Sequence, residues 1–384
     1  MNKTIISLLL IVSITIFSTG CWSYREIDKL ALVSGIAVDK NNLDNNYELT
    51  AEIIDITAST REPKFNSTRI SSKGNGFFDC LRNMINLSAK QLFLSHASVL
   101  IISEDAARDG ILPLLDWILR DSEPRITLYP LVSEAEYAKE ILSAHSLSTE
   151  IRSFEIEDMI ISNDKLSKIP NIKVYEIIND ISSSGIYAVL PTVKSVINEG
   201  TRTMALSGGA IFNKDKLAGY MGLEDVKYYL FVRNKISGGL ITIGFPSDIP
   251  IDNITLEILR NKTKVTPMFS NNELYMDIKI KTKVFIAESD TNIDIINKSI
   301  IEQLEFTAEE SIKNNIISLI NMIQADYGLD IFGFGDIVKE KMPKLWKEIN
   351  NNWDEIFKEL KVEVDVDVNI RGSGHSSKTF GNTN

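Results

Sequence analysis

The chain carries three histidines, His96, His145 and His375, and two cysteines, Cys21 and Cys80. No histidine stands at metal-ligand spacing from another His, Cys or carboxylate, so the pattern offers no zinc site and implies no cofactor. A serine nucleophile fares no better. Gly372-Ser373-Gly374-His375-Ser376 departs from the Gly-x-Ser-x-Gly elbow and has no helix after it. Gly74-Asn75-Gly76 and Gly333-Phe334-Gly335 lack the third glycine and the preceding buried strand of a dinucleotide loop. Asp365, Asp367 and Asn369 imitate the start of a calcium loop, but the valines between them demand a strand, and the glycine and distal glutamate are missing. Asp326, Asp330 and Asp336 cluster around a turn, where spaced carboxylates read as helix caps and surface charge rather than as an acid–base pair. None of these residues gives positive evidence of catalysis, and the chain reads as a non-enzyme.

Thiol chemistry is what remains. The chain opens Met1-Asn2-Lys3, runs through an uncharged apolar stretch at 5–17, and reaches Ser18-Thr19-Gly20 before Cys21. This order of basic, apolar and small residues is a secretory signal over 1–20. As a helix the apolar stretch spans about 20 Å, short of the roughly 30 Å hydrocarbon core, so no permanent transmembrane helix is expected there. Ser18 and Gly20 fit the small-x-small rule of general secretory cleavage. Cys21 directly after Gly20 resembles instead the lipobox of bacterial lipoproteins, in which the thiol is acylated before cleavage, although Ser18 stands where Leu is usual. Cysteine scarcity favours an S-diacylglycerol, N-acyl Cys21, whose acyl chains (palmitate among them) would hold the body to a membrane, since stable anchoring takes two chains. A Cys21–Cys80 disulfide is the alternative left open. Cys80 shares helical spacing with Phe77, Leu81 and Met84, which predicts a buried thiol in a helix core.

The elements that carry these residues predict an α/β fold, α+β mixed, with three consecutive domains behind the anchor: 21–200, 201–250 and 251–371, followed by a disordered tail at 372–384. Strands are expected at 30–38 and 47–56, forming a hairpin, then a loop at 59–76 and a helix from Phe77. A strand at 98–102, a helix at 104–120 interrupted by Pro113, and a strand at 126–132 follow. Helices come next at 134–142, 150–161 and 174–182. Strands at 204–212 and 217–221, a short helix at 223–230 and a strand at 239–243 suggest the small middle unit. Two long alternating segments, 255–265 and 273–286, should pair antiparallel. A helix over 292–327 presents Ile296, Ile300, Leu304, Ile312, Ile316, Leu319, Ile320 and Ile323 on one stripe and stops at Gly328. A shorter helical region at 336–360 carries Trp346 and Trp353, seven apart on one apolar face. Val362-Glu363-Val364-Asp365-Val366-Asp367-Val368 then alternates strictly, giving a strand with one valine face and one acidic face.

At 384 residues and 44% hydrophobic content the chain can bury a sizeable core. A net charge of −11, with no basic cluster visible along the sequence, argues against nucleic acid or polyanionic lipid as the main partner.

Read together, four segments resemble the Ger(x)C family of lipoproteins, the C subunits of spore germinant receptors. They are Cys21-Trp22-Ser23-Tyr24-Arg25-Glu26-Ile27 running on to Ser34-Gly35-Ile36-Ala37-Val38-Asp39, and Leu115-Asp116-Trp117-Ile118-Leu119-Arg120-Asp121-Ser122-Glu123-Pro124-Arg125. The third is Ala210-Ile211-Phe212-Asn213-Lys214-Asp215-Lys216-Leu217-Ala218-Gly219-Tyr220. The fourth is Asp330-Ile331-Phe332-Gly333-Phe334-Gly335, followed by Trp346, Trp353 and the valine strand. Ser23 departs from the family's usual Asp. The resemblance implies three α/β domains on the outer face of the spore inner membrane, beside two membrane-embedded partner subunits in a receptor for small nutrients, with no catalytic residues. Trp22, Tyr24, Arg25 and Glu26 then become candidates for partner or membrane contact, as do Arg120 and Arg125. A competing reading is a membrane-anchored solute-binding lipoprotein that delivers a small molecule to a transporter. That reading asks for a cleft between two similar lobes, which the dissimilar segments do not suggest.

Overall fold

Alternating apolar residues at the start of the described chain form a hairpin. Strands β1 (Leu30–Asn41) and β2 (Asn46–Thr57) pair antiparallel with Val38 opposite Leu49. The structure, a computed structural model, describes residues 4–5, 29–41, 46–57, 64–88, 90–244, 253–289 and 297–371. The signal segment beyond residues 4–5, the anchor residues Cys21, Trp22, Tyr24, Arg25 and Glu26, and the tail at 372–384 lie outside the described residues.

The expected loop at 59–76 is corrected to a strand. β3 (Lys64–Gly74) pairs antiparallel with β2 along its whole length. Helix α1 (Phe77–Ser88) buries Phe77, Cys80, Leu81 and Met84, as their spacing predicts. Cys80 stands there as a free thiol, and burial pushes it up to about 11, which keeps it protonated and inert. β4 (Gln91–Phe93) runs parallel to the first residues of β1. After β5 (Val99–Ser103) the helical stretch breaks into α2 (Glu104–Asp109) and α3 (Leu112–Arg120). The break falls at Gly110, whose φ of 130° no helix accommodates, and Pro113 sits in the first turn of α3, where its missing N–H costs nothing.

β6 (Tyr129–Ser133) is followed by α4 (Ala138–Ser143), α5 (Arg152–Ser162) and α6 (Val174–Ser182). Helix α4 starts later than the expected residue 134, because its first N–H groups are capped from afar. Asp39 of β1 accepts the N–H of Ala138 at 2.6 Å and of Lys139 at 3.1 Å. β7 (Val189–Asn198), β8 (Thr201–Asn213) and β9 (Lys216–Gly222) complete a nine-stranded sheet ordered β3-β2-β1-β5-β6-β7-β8-β9, with β4 beside β1. Its centre is parallel and both flanks are antiparallel. The strands of the 201–250 segment up to Gly222 therefore extend the first sheet rather than forming one of their own. Helices α1, α2, α3 and α6 share a core on one face of this sheet, while α4 and α5 cover the other.

Helix α7 (Leu223–Val232) is buried from Val226 to Val232 and leads into the second body. There β10 (Leu240–Gly244), β11 (Asn253–Ser270) and β12 (Glu273–Ser289) form an antiparallel meander. The long helix α8 (Lys298–Asp326) packs Leu304, Ala308, Ile312, Ile316, Leu319, Ile320 and Ile323 into the second core. Ile296 of the expected stripe lies outside the described residues. The predicted stop is observed: Gly328 takes a φ of 62°, and its N–H donates to Ile323 at 2.9 Å. The 336–360 region resolves into α9 (Phe334–Lys341), α10 (Pro343–Ile349) and α11 (Trp353–Glu359). Trp346 and Trp353 thus sit on different helices, not on one face of a single helix, yet their rings meet edge-on at 5.3 Å. β13 (Lys361–Ile370) closes the second sheet parallel to β12, with Val364, Val366 and Val368 buried and Asp365 and Asp367 exposed.

Candidate functional site

The two bodies are fastened by the segment 328–336, and the fastening is built around Asp330. This residue is fully buried, not the surface charge expected of it. Its Oδ1 accepts the N–H groups of Phe332 at 3.1 Å and Gly333 at 2.9 Å. Its Oδ2 accepts Gly335 N–H at 2.8 Å and the indole N–H of Trp353 at 3.1 Å. Burial pushes the carboxyl up to about 6 against the pull of those donors. The carboxylate thereby caps α9 and pins α11 to it.

The same segment reaches across to the first body. Tyr187 N–H donates to the Asp330 carbonyl at 2.9 Å, and Asp336 N–H donates to the Gly185 carbonyl at 3.2 Å. The Arg233 guanidinium donates to the Phe332 carbonyl at 3.1 Å. Gly185 and Gly335 allow the backbones to touch: a Cβ on Gly185 would lie 2.4 Å from Asp336 N, and one on Gly335 2.7 Å from Gly185 Cα.

Beside this seam opens a cleft of about 720 Å³. One wall is Ser182–Ser184 and Ile186–Ala188 with Lys214 and Asp215, and the other is Asn350–Glu355. Across it the Tyr187 hydroxyl donates to both Asp354 oxygens at 2.9 Å, and burial together with Asp354 pushes the phenol well above its usual range, so it remains a donor. The cleft's lining mixes serine hydroxyls, three consecutive asparagine amides, one lysine and three carboxylates with Leu112, Ile181, Ile186 and Trp353. Its lining holds no His or Cys. Among the described residues no group of three His, Cys, Asp or Glu could hold a metal ion. His96 and His145 are exposed at separate turns.

Of the residues singled out in the sequence, Arg120 is exposed and pairs with Asp116 one turn back at 2.7 Å, and Arg125 is exposed in the turn before β6. Between them Asp121, Ser122 and Glu123 line a second, smaller groove of about 200 Å³ against α1. Sequence reasoning missed three residues of the seam: Tyr187, Gly185 and Trp353 as a partner of Asp330. The only available signal was the Gly333-Phe334-Gly335 run, which marks a backbone held close to something.

Two family models match the chain one after the other, and the boundary between them falls in the β7–β8 hairpin of the first sheet. Residues 23–195 match the spore germination protein N-terminal domain, and residues 207–374 match the spore germination B3/GerAC-like C-terminal domain. The chain belongs to this family of spore germination proteins. It is 23% identical to spore germination protein KC of Bacillus subtilis (strain 168), over 97% of this chain and 96% of that protein. It is 24% identical to spore germination protein B3 of the same organism, over 94% and 95%. The crystal structure of the GerBC protein superposes with a TM-score of 0.57 at 21% identity, covering 88% of this chain and 97% of that one, which shows a shared fold.

Proposed function

We propose that the chain is the noncatalytic, lipid-anchored C subunit of a nutrient germinant receptor, held through Cys21 at the outer surface of the spore inner membrane beside two membrane-embedded subunits. The observation that carries this reading is the match of both family modules, in order, along nearly the whole chain. Homology to spore germination proteins along nearly the whole chain supports a receptor-subunit role. Among the described residues no helix is long and apolar enough to cross a membrane, and the attachment in this reading is the acyl group on Cys21. Copurification of the anchored chain from spore membranes tests the assembly: two multispanning proteins should come with it, and recovery of the chain alone would contradict the proposal. Mass spectrometry of the mature N-terminal peptide should show a diacylglyceryl mass on Cys21.

The competing solute-binding reading draws on the 720 Å³ cleft. Calorimetry of the purified chain with amino acids and sugars separates the two. Tight binding by this chain without partners would favour delivery of a solute to a transporter.

A further inference from the structure

Pairing register gathers charge on the outward face of the second sheet. Arg260, Lys262 and Lys264 of β11 stand directly opposite Lys283, Lys281 and Lys279 of β12. All six are exposed, while Ile280 and Thr282, which alternate with the β12 lysines, are buried. Arg260, Lys262, Lys281 and Lys283, with Asp367 and Asn369, line a hollow of about 230 Å³. The β12 row has its counter-charges. In parallel register β13 sets Asp365 beside Lys279 and Asp367 beside Lys281. Asp367 bridges Lys281 at 3.1 Å, and Asp277 bridges Lys279 at 3.2 Å. The β11 row differs: Arg260, Lys262 and Lys264 make no ion pair among the described residues. β13 lies two strands away, about 10 Å, past the ~8 Å at which salt screens exposed charges. On the other side β10 ends its pairing at Leu240 opposite Glu257, so no described strand flanks the row there.

An outermost strand gains from charge, because charged side chains deter edge-to-edge pairing. That gain does not select the sign. Carboxylates at the three β11 positions would guard the edge equally well and would pair with the β12 lysines, whereas like charges placed opposite one another weaken a strand pair. Cations there are a cost to the fold that an anionic partner offsets. The face itself displays the form of such a partner. β13 is an extended segment whose Glu363, Asp365 and Asp367 recur at every second residue, about 6.7 Å, the same repeat as the β11 row. We propose that the Arg260–Lys262–Lys264 row docks an extended acidic segment of a partner protein laid along it. The partner is a receptor subunit, so the inference rests on the reading proposed above.

The test uses the full chain in neutral detergent, with fluorescein-labelled oligoglutamate as the probe. Probe anisotropy should rise saturably and fall back as salt is added. Arg260→Glu/Lys262→Glu should weaken binding roughly tenfold, since like charges then face the probe, and the milder Arg260→Gln/Lys262→Gln should weaken it severalfold. Asp365→Asn/Asp367→Asn should tighten it severalfold by freeing the β12 row. Thermal unfolding checks that each variant is folded. From spore membranes the charge-reversed chain should recover severalfold less of the two multispanning proteins, with the acyl mass on Cys21 unchanged. Equal oligoglutamate binding by wild type and both Arg260/Lys262 variants overturns the proposal. So does tighter binding of phosphatidylglycerol vesicles or inorganic phosphate, which would assign the face to phosphate groups. Wild-type and charge-reversed chains that recover the multispanning proteins equally overturn it too. Wild-type chain recovered alone is a separate result that removes the receptor reading and this partner with it.

Discussion

Asp330 has no cationic partner among the described residues and is held by N–H donors alone. Removing one donor should therefore be felt according to its charge. Trp353→Phe deletes the indole N–H and should cost about 2 kcal/mol at pH 7, the scale of a hydrogen bond to an ionised group, and clearly less at pH 5. Urea unfolding at the two pH values checks this. An equal loss at both would show that the indole contributes through packing only. Asp39 and Asp180, also raised to about 6 by burial, act in the same direction as Asp330. Each keeps its proton in the native state up to about pH 6 but loses it near 3.9 when unfolded, so between those values the native chain holds more protons. Their contribution is full below about pH 4 and is lost as pH rises through 6. Asp180→Asn should flatten the fall of unfolding free energy between pH 4 and 6, and an unchanged slope would contradict the assignment.

At the scale of elements, the β11–β12 hairpin assembles charge that the linear sequence disperses. Arg260, Lys262 and Lys264 stand opposite Lys283, Lys281 and Lys279, all exposed. The basic cluster absent from a reading along the chain is thus created by register. Asp367 on β13 bridges Lys281 at 3.1 Å, and Asp277 bridges Lys279 at 3.2 Å. Directly opposed like charges destabilise a strand pair, so Lys262→Glu should raise stability by roughly 0.5 kcal/mol. The gain should shrink in 0.5 M salt, which screens the wild-type repulsion. A destabilised variant in chemical unfolding would disprove this account. The same contrast explains what could be read from sequence. The valine strand and the α8 stripe were legible because each buries one face. β3 was not, since none of its residues from Asn66 to Gly74 is buried and its place is set by backbone pairing with β2 and by polar side-chain bonds such as Arg69 to the Leu142 carbonyl at 2.8 Å. The start of α4 and the ring of donors around Asp330 depend on Asp39 and Trp353, partners distant in sequence that no local pattern announces.

For the whole molecule, the last strand completes the second body. β13 supplies Val364, Val366 and Val368 to the core, and its outward N–H groups at Val368 and Ile370 donate to Glu309 and Glu305 of α8 at 3.0 and 2.8 Å. Ending the chain at Leu360 should bare the edge of β12 and the valine-covering side of α8, giving aggregated protein in size-exclusion chromatography. A monodisperse truncated chain would show that the first three strands of that sheet suffice. Because β13 joins β12 in parallel, every residue from α8 to α11 must be made before the two can meet. On a ribosome, which releases the chain from its N-terminus onward, the first sheet can close while synthesis continues, but the second has to wait until β13 has emerged.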